Sequence, residues 1–468
     1  MKSLILWIDR NKNKKWFSLG LQLLILCLLL LCMEPGFENS LRRENMLSNL
    51  TEAASFQNYF LRAFYNAVYE ICPALPWYAL LQYVLLFTAF YAVTCIILRQ
   101  LEGMQGIFIT ALMMIYFGYE CYIRMQDTKT AAVLSATAVF LLIYGAEKKK
   151  GSWRPLILGV ILGLFGSMYR ISQFLISFLL LAWFGAVWLR KETGRCRREE
   201  GNEKGTERSS HCLAVYLGAL AVLALLAGGL YQADKILYAE NESWRADREL
   251  YTVREHLRDY GFPDYEENKE LYEELNIDEE KLKEYQKKEK NQKKDPLEEL
   301  SVDTMKALAA AKPRERLSKA LILLFMKKFP VLWFQSRTFL CFLLLAVFWI
   351  FWGRHSRGTF LMLLAEAVLT GGMYFCMFYR ERNDCSQMDM GFWFALCLVM
   401  VCCLSGTVWR ISGEMKLLLC LSVLIMNQGY WNSQWRIPPK TGKEKASQEK
   451  YYGPFDVRES GPAEEQNS

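Results

Sequence analysis

The sequence predicts an all-α protein, a polytopic transmembrane helical bundle of about eleven spans with a small external helical loop domain. Three observations carry that expectation. Eleven apolar stretches lie between Trp16 and Ile425, their apolar residues are continuous rather than alternating, and cations close most of them on alternate sides only.

A helix needs roughly twenty apolar residues to cross about 30 Å of hydrocarbon. The stretches Trp16 to Met33, Leu75 to Leu98, Gly106 to Ile123, Ala131 to Ala146, Leu156 to Tyr169, Ser172 to Leu189 and Cys212 to Tyr231 make an N-terminal membrane bundle over 1–231, with an outer loop at 34–74. Thr338 to Trp352, Thr359 to Tyr379, Gly391 to Trp409 and Leu417 to Ile425 make a second bundle over 338–427. Between them lies a hydrophilic, mainly helical loop, 232–337, and the tail 428–468 reads as disordered.

Orientation follows the cations of the short loops. Lys12, Lys14 and Lys15 precede the first span; Lys148 to Lys150 follow the fourth; Arg190, Lys191, Arg195, Arg197 and Arg198 follow the sixth; Arg354 and Arg357 follow the eighth. All fall on one side if the spans alternate, which puts the N-terminus in the cytoplasm, the 232–337 loop outside and the chain in the plasma membrane. The first span has a basic start but no small-residue cleavage pattern after it, so it is read as retained.

Composition excludes more than it assigns. The net charge of +7 is spread over loops and tail, which suits topology and contact with membrane lipids rather than nucleic acid. The fourteen Cys form no CxxC pair and sit mostly inside spans, so neither a zinc site nor a disulfide framework is indicated. Three scattered His make a His-based metal site or triad improbable, and no cofactor is expected.

The outer loops have local signatures. Phe56, Phe60, Phe64, Val68 and Ile71 recur near a helical period, predicting a helix flat in the membrane interface. Pro73 to Tyr78 then turns the chain into the second span, with Trp77 and Tyr78 expected at headgroup depth. Ile236 to Tyr260 reads as one helix with a stripe of Leu237, Trp244, Leu250, Val253 and Leu257, ended by Gly261 and Pro263. Asp278 reads as the N-cap of another, and Lys281 to Lys294 as a solvated or mobile run.

Three outward features hold the candidate chemistry. Glu34, Glu38 and Glu44 follow the first span; Arg124, Gln126, Asp127 and Lys129 form the turn between the third and fourth; Arg170 divides the short fifth from the sixth. An ionisable residue within an apolar run is costly in lipid and marks function or a snorkelling anchor. Glu366 reads as the only acid well inside a span. A carboxylate beside cations at the outer surface is what glycosyl transfer from a lipid phosphate requires: the acid accepts the acceptor's proton and the cations neutralise the leaving phosphate.

The order of basic start, span, acidic outer loop, interfacial helix and Pro-Trp-Tyr turn resembles bacterial envelope proteins similar to the GT-C superfamily of membrane glycosyltransferases. Gln126-Asp-Thr128-Lys-Thr130-Ala-Ala132 resembles a Gln-x-Thr-x-Thr-Ala-Ala turn in a largely uncharacterised group of them, and Trp244, Arg254, Asp259-Tyr260 and Pro263 to Asn268 resemble that group's external loop. The resemblance implies a polyprenyl-phosphate-linked sugar as donor and an envelope glycan as acceptor. It also implies Glu44, or else Glu38 or Glu34, as the base, with Arg124, Gln126, Asp127, Lys129 and Arg170 at the lipid phosphate. The sequence departs from the group at one place: the expected Asp pair is Arg42-Arg43 by register with Met46. Two alternatives stand beside the enzyme: a non-catalytic envelope protein binding lipid-linked glycan or a protein partner, and a transporter or flippase.

Overall fold

Without water to bond the backbone, each amide of an apolar run must pair within its own segment, which only helices achieve in an open chain. The computed structural model describes residues 2–32, 36–37, 57–73, 75–147, 153–200, 202–283, 300–312, 319, 322–327, 336–352, 356–381 and 386–405, and they are almost entirely helical. In chain order come α1 (Lys2–Asn11), α2 (Lys15–Cys32), the two-residue strand β1 (Gly36–Phe37), α3 (Tyr59–Ile71), α4 (Trp77–Gln100) and α5 (Gly103–Ile123). After strand β2 (Arg124–Met125) follow α6 (Asp127–Glu147), α7 (Trp153–Tyr169), α8 (Ile171–Glu200) and α9 (Asn202–Glu240). The hydrophilic loop holds α10 (Glu242–Tyr260), α11 (Lys269–Glu274) and α12 (Val302–Ala311), and the chain returns with α13 (Arg337–Trp352), α14 (Arg357–Glu381) and α15 (Ser386–Leu404).

The span count is corrected. Among the described residues six helices are long and apolar enough to cross a membrane, not about eleven: Trp77–Gln100, Gly103–Ile123, Asp127–Glu147, Ile171–Lys191, Ser210–Glu240 and Arg357–Tyr379. Lys15–Leu31, Trp153–Tyr169, Arg337–Phe351 and Asp389–Leu404 are apolar helices but shorter. At 1.5 Å per residue a helix of about seventeen residues reaches only about 25 Å. The stretch Leu417 to Ile425, the end of the tenth stretch and the tail 428–468 lie outside the described residues.

The centre of the bundle is α6, buried along nearly its whole length. Small residues allow that. α7 lays Gly159 and Gly166 against it so closely that an added Cβ would stand 2.9 Å from the Ala138 carbonyl and 2.3 Å from Ser135 Oγ. Backbones that approach this far gain dispersion contacts, the main attraction between helices in lipid.

Two sets of contacts define the two ends of the bundle. At one end α1 meets the α4–α5 turn, where Lys12 Nζ donates to the Leu101 carbonyl at 2.9 Å and the Gly103 amide to Asp9 Oδ1 at 3.0 Å. At the other, β1 pairs in parallel with β2, Gly36 opposite Arg124 and Phe37 opposite Met125, so α2 runs from one end to the other as α5 does.

The hydrophilic loop has a small core of its own: Leu257, Phe262, Tyr272, Ile277, Leu282, Met305 and Leu308 are buried together, with Leu250 and Val253 packed against them. Gly261 ends α10 at φ 72°, a left-handed conformation that suits glycine, and its amide returns to the Leu257 carbonyl at 2.8 Å. Asp278 caps the next turn, accepting from the Lys281 amide at 2.7 Å. The single helix expected over Ile236 to Tyr260 is two, divided at Asn241. Its side chain accepts from the Trp244 amide at 3.1 Å, so the chain caps a new helix instead of continuing the old one. Most of the Lys281 to Lys294 run lies outside the described residues.

Candidate functional site

The candidate site grows from the β2 end, where polar residues of six helices meet. Asp127 opens α6, and a carboxylate in a first helical turn is favoured by the amide dipoles. Its side chain is fully buried, so donors must replace water. Tyr78 Oη and Gln82 Nε2 of α4 both donate to Oδ1, the amide at 3.1 Å, and Gln57 Nε2 donates to Oδ2 at 3.3 Å. Gln82 Oε1 accepts in turn from Thr130 Oγ1 at 2.6 Å. Tyr78 is therefore held inside the protein, where a buried acid accepts from its hydroxyl. Beside it the Tyr65 and Tyr169 hydroxyls share a hydrogen bond of 2.7 Å. Burial, then the neighbouring Tyr169 phenol, pushes the Tyr65 phenol well above its ordinary value, so it stays neutral.

A second cluster surrounds Glu120, in the π-helical half of α5 (Met114–Ile123), a backbone form that often marks functional positions. Glu120 is 7% exposed. Lys129 Nζ stands 2.7 Å from its Oε2, and Arg124 and Arg337 bring guanidinium nitrogens to 3.6 and 3.8 Å of its Oε1. Among the described residues three cations gather around this one buried carboxylate. Arg124 is the member that reaches solvent, with its side chain 41% exposed. The sequence reading did not single out Glu120, although the signal was legible: an acid near the end of an otherwise apolar run, nine residues before Lys129.

Arg170, at the break between α7 and α8, donates from Nη1 to Thr128 Oγ1 at 3.1 Å, and Gln126 is buried in the same turn. The structure thus brings Arg124, Gln126, Asp127, Lys129 and Arg170 to one end of the bundle. Glu34, Glu38 and Glu44 lie outside the described residues. The paired dipeptide Gly36–Phe37 comes from the same loop and runs beside Arg124–Met125.

A latch that the sequence reading missed joins this end to the hydrophilic loop. Arg62, fully buried on α3, donates to Asp247 Oδ2 at 2.7 Å and lies 4.2 Å from the centre of the Trp244 ring. Arg248 pairs with Asp234 at 2.8 Å, covers the Tyr238 ring at 3.4 Å and donates to the Gln57 carbonyl at 3.1 Å. Asp234 also accepts from the Tyr59 amide at 2.7 Å, at the N-terminus of α3. Nothing local distinguishes these charges from solvated ones, because their partners lie far away in sequence. The expected helix is there as α3 and is two-faced: Phe60, Phe64 and Ile71 are exposed while Leu61, Arg62 and Tyr65 are buried.

Comparison of the chain with models of known protein families, with curated proteins and with solved structures finds no match. The functional reading therefore rests on the site. Its arrangement places a cluster of cations, Arg124 partly exposed among them, beside a wall of buried tyrosines at the bundle end.

Proposed function

We propose that this chain is a GT-C-like membrane glycosyltransferase, moving a sugar from a polyprenyl-phosphate carrier to an acceptor during cell-envelope glycan assembly. The observation that supports the reading is the gathering of Arg124, Lys129 and Arg337 around buried Glu120, with the Arg124 side chain partly exposed. Arg124 contacts the carrier phosphate and Arg170 supplies a further cation. The base is a loop-one acid, Glu44 or else Glu38 or Glu34. In this reading the four shorter apolar helices also cross a locally thinned bilayer, the N-terminus is cytoplasmic and the site faces outward in the plasma membrane.

One observation favours a second reading. Lys129 and Arg124 already contact Glu120, and an Arg pair stands where the resembling group has acids, which suits a non-catalytic protein that holds lipid-linked glycan. Measurement of sugar transfer and carrier-lipid binding on the same purified protein separates the two. Replacement of Glu34, Glu38 and Glu44 by Gln abolishes transfer and spares binding if the chain is an enzyme. Binding without transfer by the unaltered protein, across donors and acceptors, sinks the enzyme. Loss of neither on Arg124→Ala with Arg170→Leu sinks both.

A further inference from the structure

Helix α14 faces away from the bundle over most of its surface: Phe360, Leu361, Leu364 and Val368 are each more than half exposed. Its buried stripe is where polarity collects. Thr359, Glu366, Thr370 and Tyr374 recur at helical spacing along that stripe, each no more than 4% exposed, with Met362 and Phe378 among them.

The ends of the stripe are bonded. Lys191 of α8 donates to Thr359 Oγ1, and the Tyr374 hydroxyl donates to Asp389 at the start of α15. The middle is not. Among the described residues neither Glu366 oxygen has a hydrogen-bond partner, and neither does Thr370 Oγ1. Polar residues that join membrane helices do so by bonding across them, so an unbonded carboxyl is not joining anything.

Glu366 lies nine residues from Arg357 and thirteen from Tyr379, about 13 and 20 Å along the helix axis, hence near the middle of the span. A bare carboxylate at that depth costs many kcal/mol, and the group takes up a proton instead. Among the described residues the charged or titratable groups facing this region are few. Cys403 of α15 lies within electrostatic reach of both Glu366 and Lys191, while Asp389 and Tyr374 occupy the far end of the stripe. The segment that packs on α14 from 322–327 meets it through Phe325 at Phe375 and Phe378, three turns away.

We propose that Glu366 is a proton-binding site at mid-membrane depth, exchanging with water along the Thr359–Thr370–Tyr374 stripe of α14. In exchange the carboxyl O–H bond breaks, the proton passes to an adjacent water or hydroxyl oxygen, and the carboxylate is reprotonated from the same column. No electrons are transferred. The site is separate from the cation cluster at Glu120 and does not depend on the function proposed for it.

Infrared difference spectroscopy of the full-length protein in lipid bilayers tests this. At neutral pH the unaltered protein should show the carbonyl stretch of a neutral carboxyl that Glu366→Gln removes and Glu366→Asp retains at a shifted frequency. The band should move on transfer to D2O, and Thr370→Val should slow that exchange about tenfold, a modest barrier increase from one lost hydroxyl relay. Carboxyl regions identical in the unaltered protein and Glu366→Gln would show an ionised group and overturn the proposal. A Glu366 band that never exchanges in D2O would show a sealed structural carboxyl and overturn it equally. Glu366→Asp serves the same comparison if the Gln variant fails to fold.

Discussion

Lys129 Nζ stands 2.7 Å from Glu120 Oε2, and the two side chains are only 5% and 10% exposed. Such a pair holds its place less by net attraction than by what its loss would strand. Glu120→Gln removes the carboxylate that Lys129, Arg124 and Arg337 share, whereas Lys129→Met leaves Glu120 still within reach of two guanidiniums. Unfolding of the purified protein should therefore show a loss of about 3–5 kcal/mol for Glu120→Gln and less for Lys129→Met. Equal losses would mean that the arginines contribute nothing.

Asp127 and Arg124 should separate stability from binding. Asp127 is fully buried among donors, so Asp127→Asn turns an acceptor into a group whose amide opposes Tyr78 or Gln57, at a cost of about 1–3 kcal/mol in stability. Arg124 is partly exposed, and Arg124→Ala should leave stability nearly unchanged while weakening a polyprenyl phosphate's binding in a salt-dependent way. Thermal unfolding and lipid-binding titrations, run on both variants, read the two effects. Intact binding in Arg124→Ala would remove Arg124 from the phosphate site.

The latch between α3 and the hydrophilic loop should control the loop's exposure. Arg62→Leu removes the donor to Asp247 and the cation over Trp244, leaving a partly buried carboxylate without its partner. Limited proteolysis of the intact protein should cut first within Lys281 to Lys294, and the Arg62 variant should add cuts between Trp244 and Tyr260. An unaltered digestion pattern would mean that the other contacts, among them Arg248 with Asp234, suffice.

Tyr272 gives the loop an alkaline limit. Burial raises its phenol from 10 to about 12, and its hydroxyl donates to the Pro263 carbonyl at 2.8 Å. The neutral phenol is favoured by folding, so its contribution is complete below the unfolded value near 10. It is lost as pH rises through about 12. Tyr272→Phe should lower stability at neutral pH and flatten the decline above pH 10, followed by the fluorescence of Trp244.

Much of this fold was legible because lipid leaves the backbone little choice. Each apolar stretch that falls among the described residues is a helix, and Gly261 and Asp278 stop and start helices as their chemistry requires. The count of long apolar helices was not legible from apolarity alone: Trp153–Tyr169 and Arg337–Phe351 are apolar like the six candidate spans but shorter. Arg124, Gln126, Asp127, Lys129 and Arg170 were found because they interrupt apolar runs. Arg62, Asp234, Asp247 and Arg248 were not, since a charge in a polar segment gives no sign that a partner more than a hundred residues away will bury it.

The last prediction concerns which side of the membrane holds the site. The structure ties α1 to the Leu101 turn at one end, and ties β1, Arg124 and, through Arg62 and Asp247, the hydrophilic loop to the other. Orientation is thus a single unknown, set by the lysines and arginines at 12–15, 148–150 and 190–198, which cluster on the Leu101 side if the helices alternate. Reporter fusions after Lys150 and Arg198 should read cytoplasmic, and fusions at Asp264 external. The two results are not independent, because the end contacts couple them. A cytoplasmic signal at Asp264 would carry the Glu120 pocket inside with it, and a sugar transferase of the outer face would then have its phosphate site on the wrong side of the bilayer.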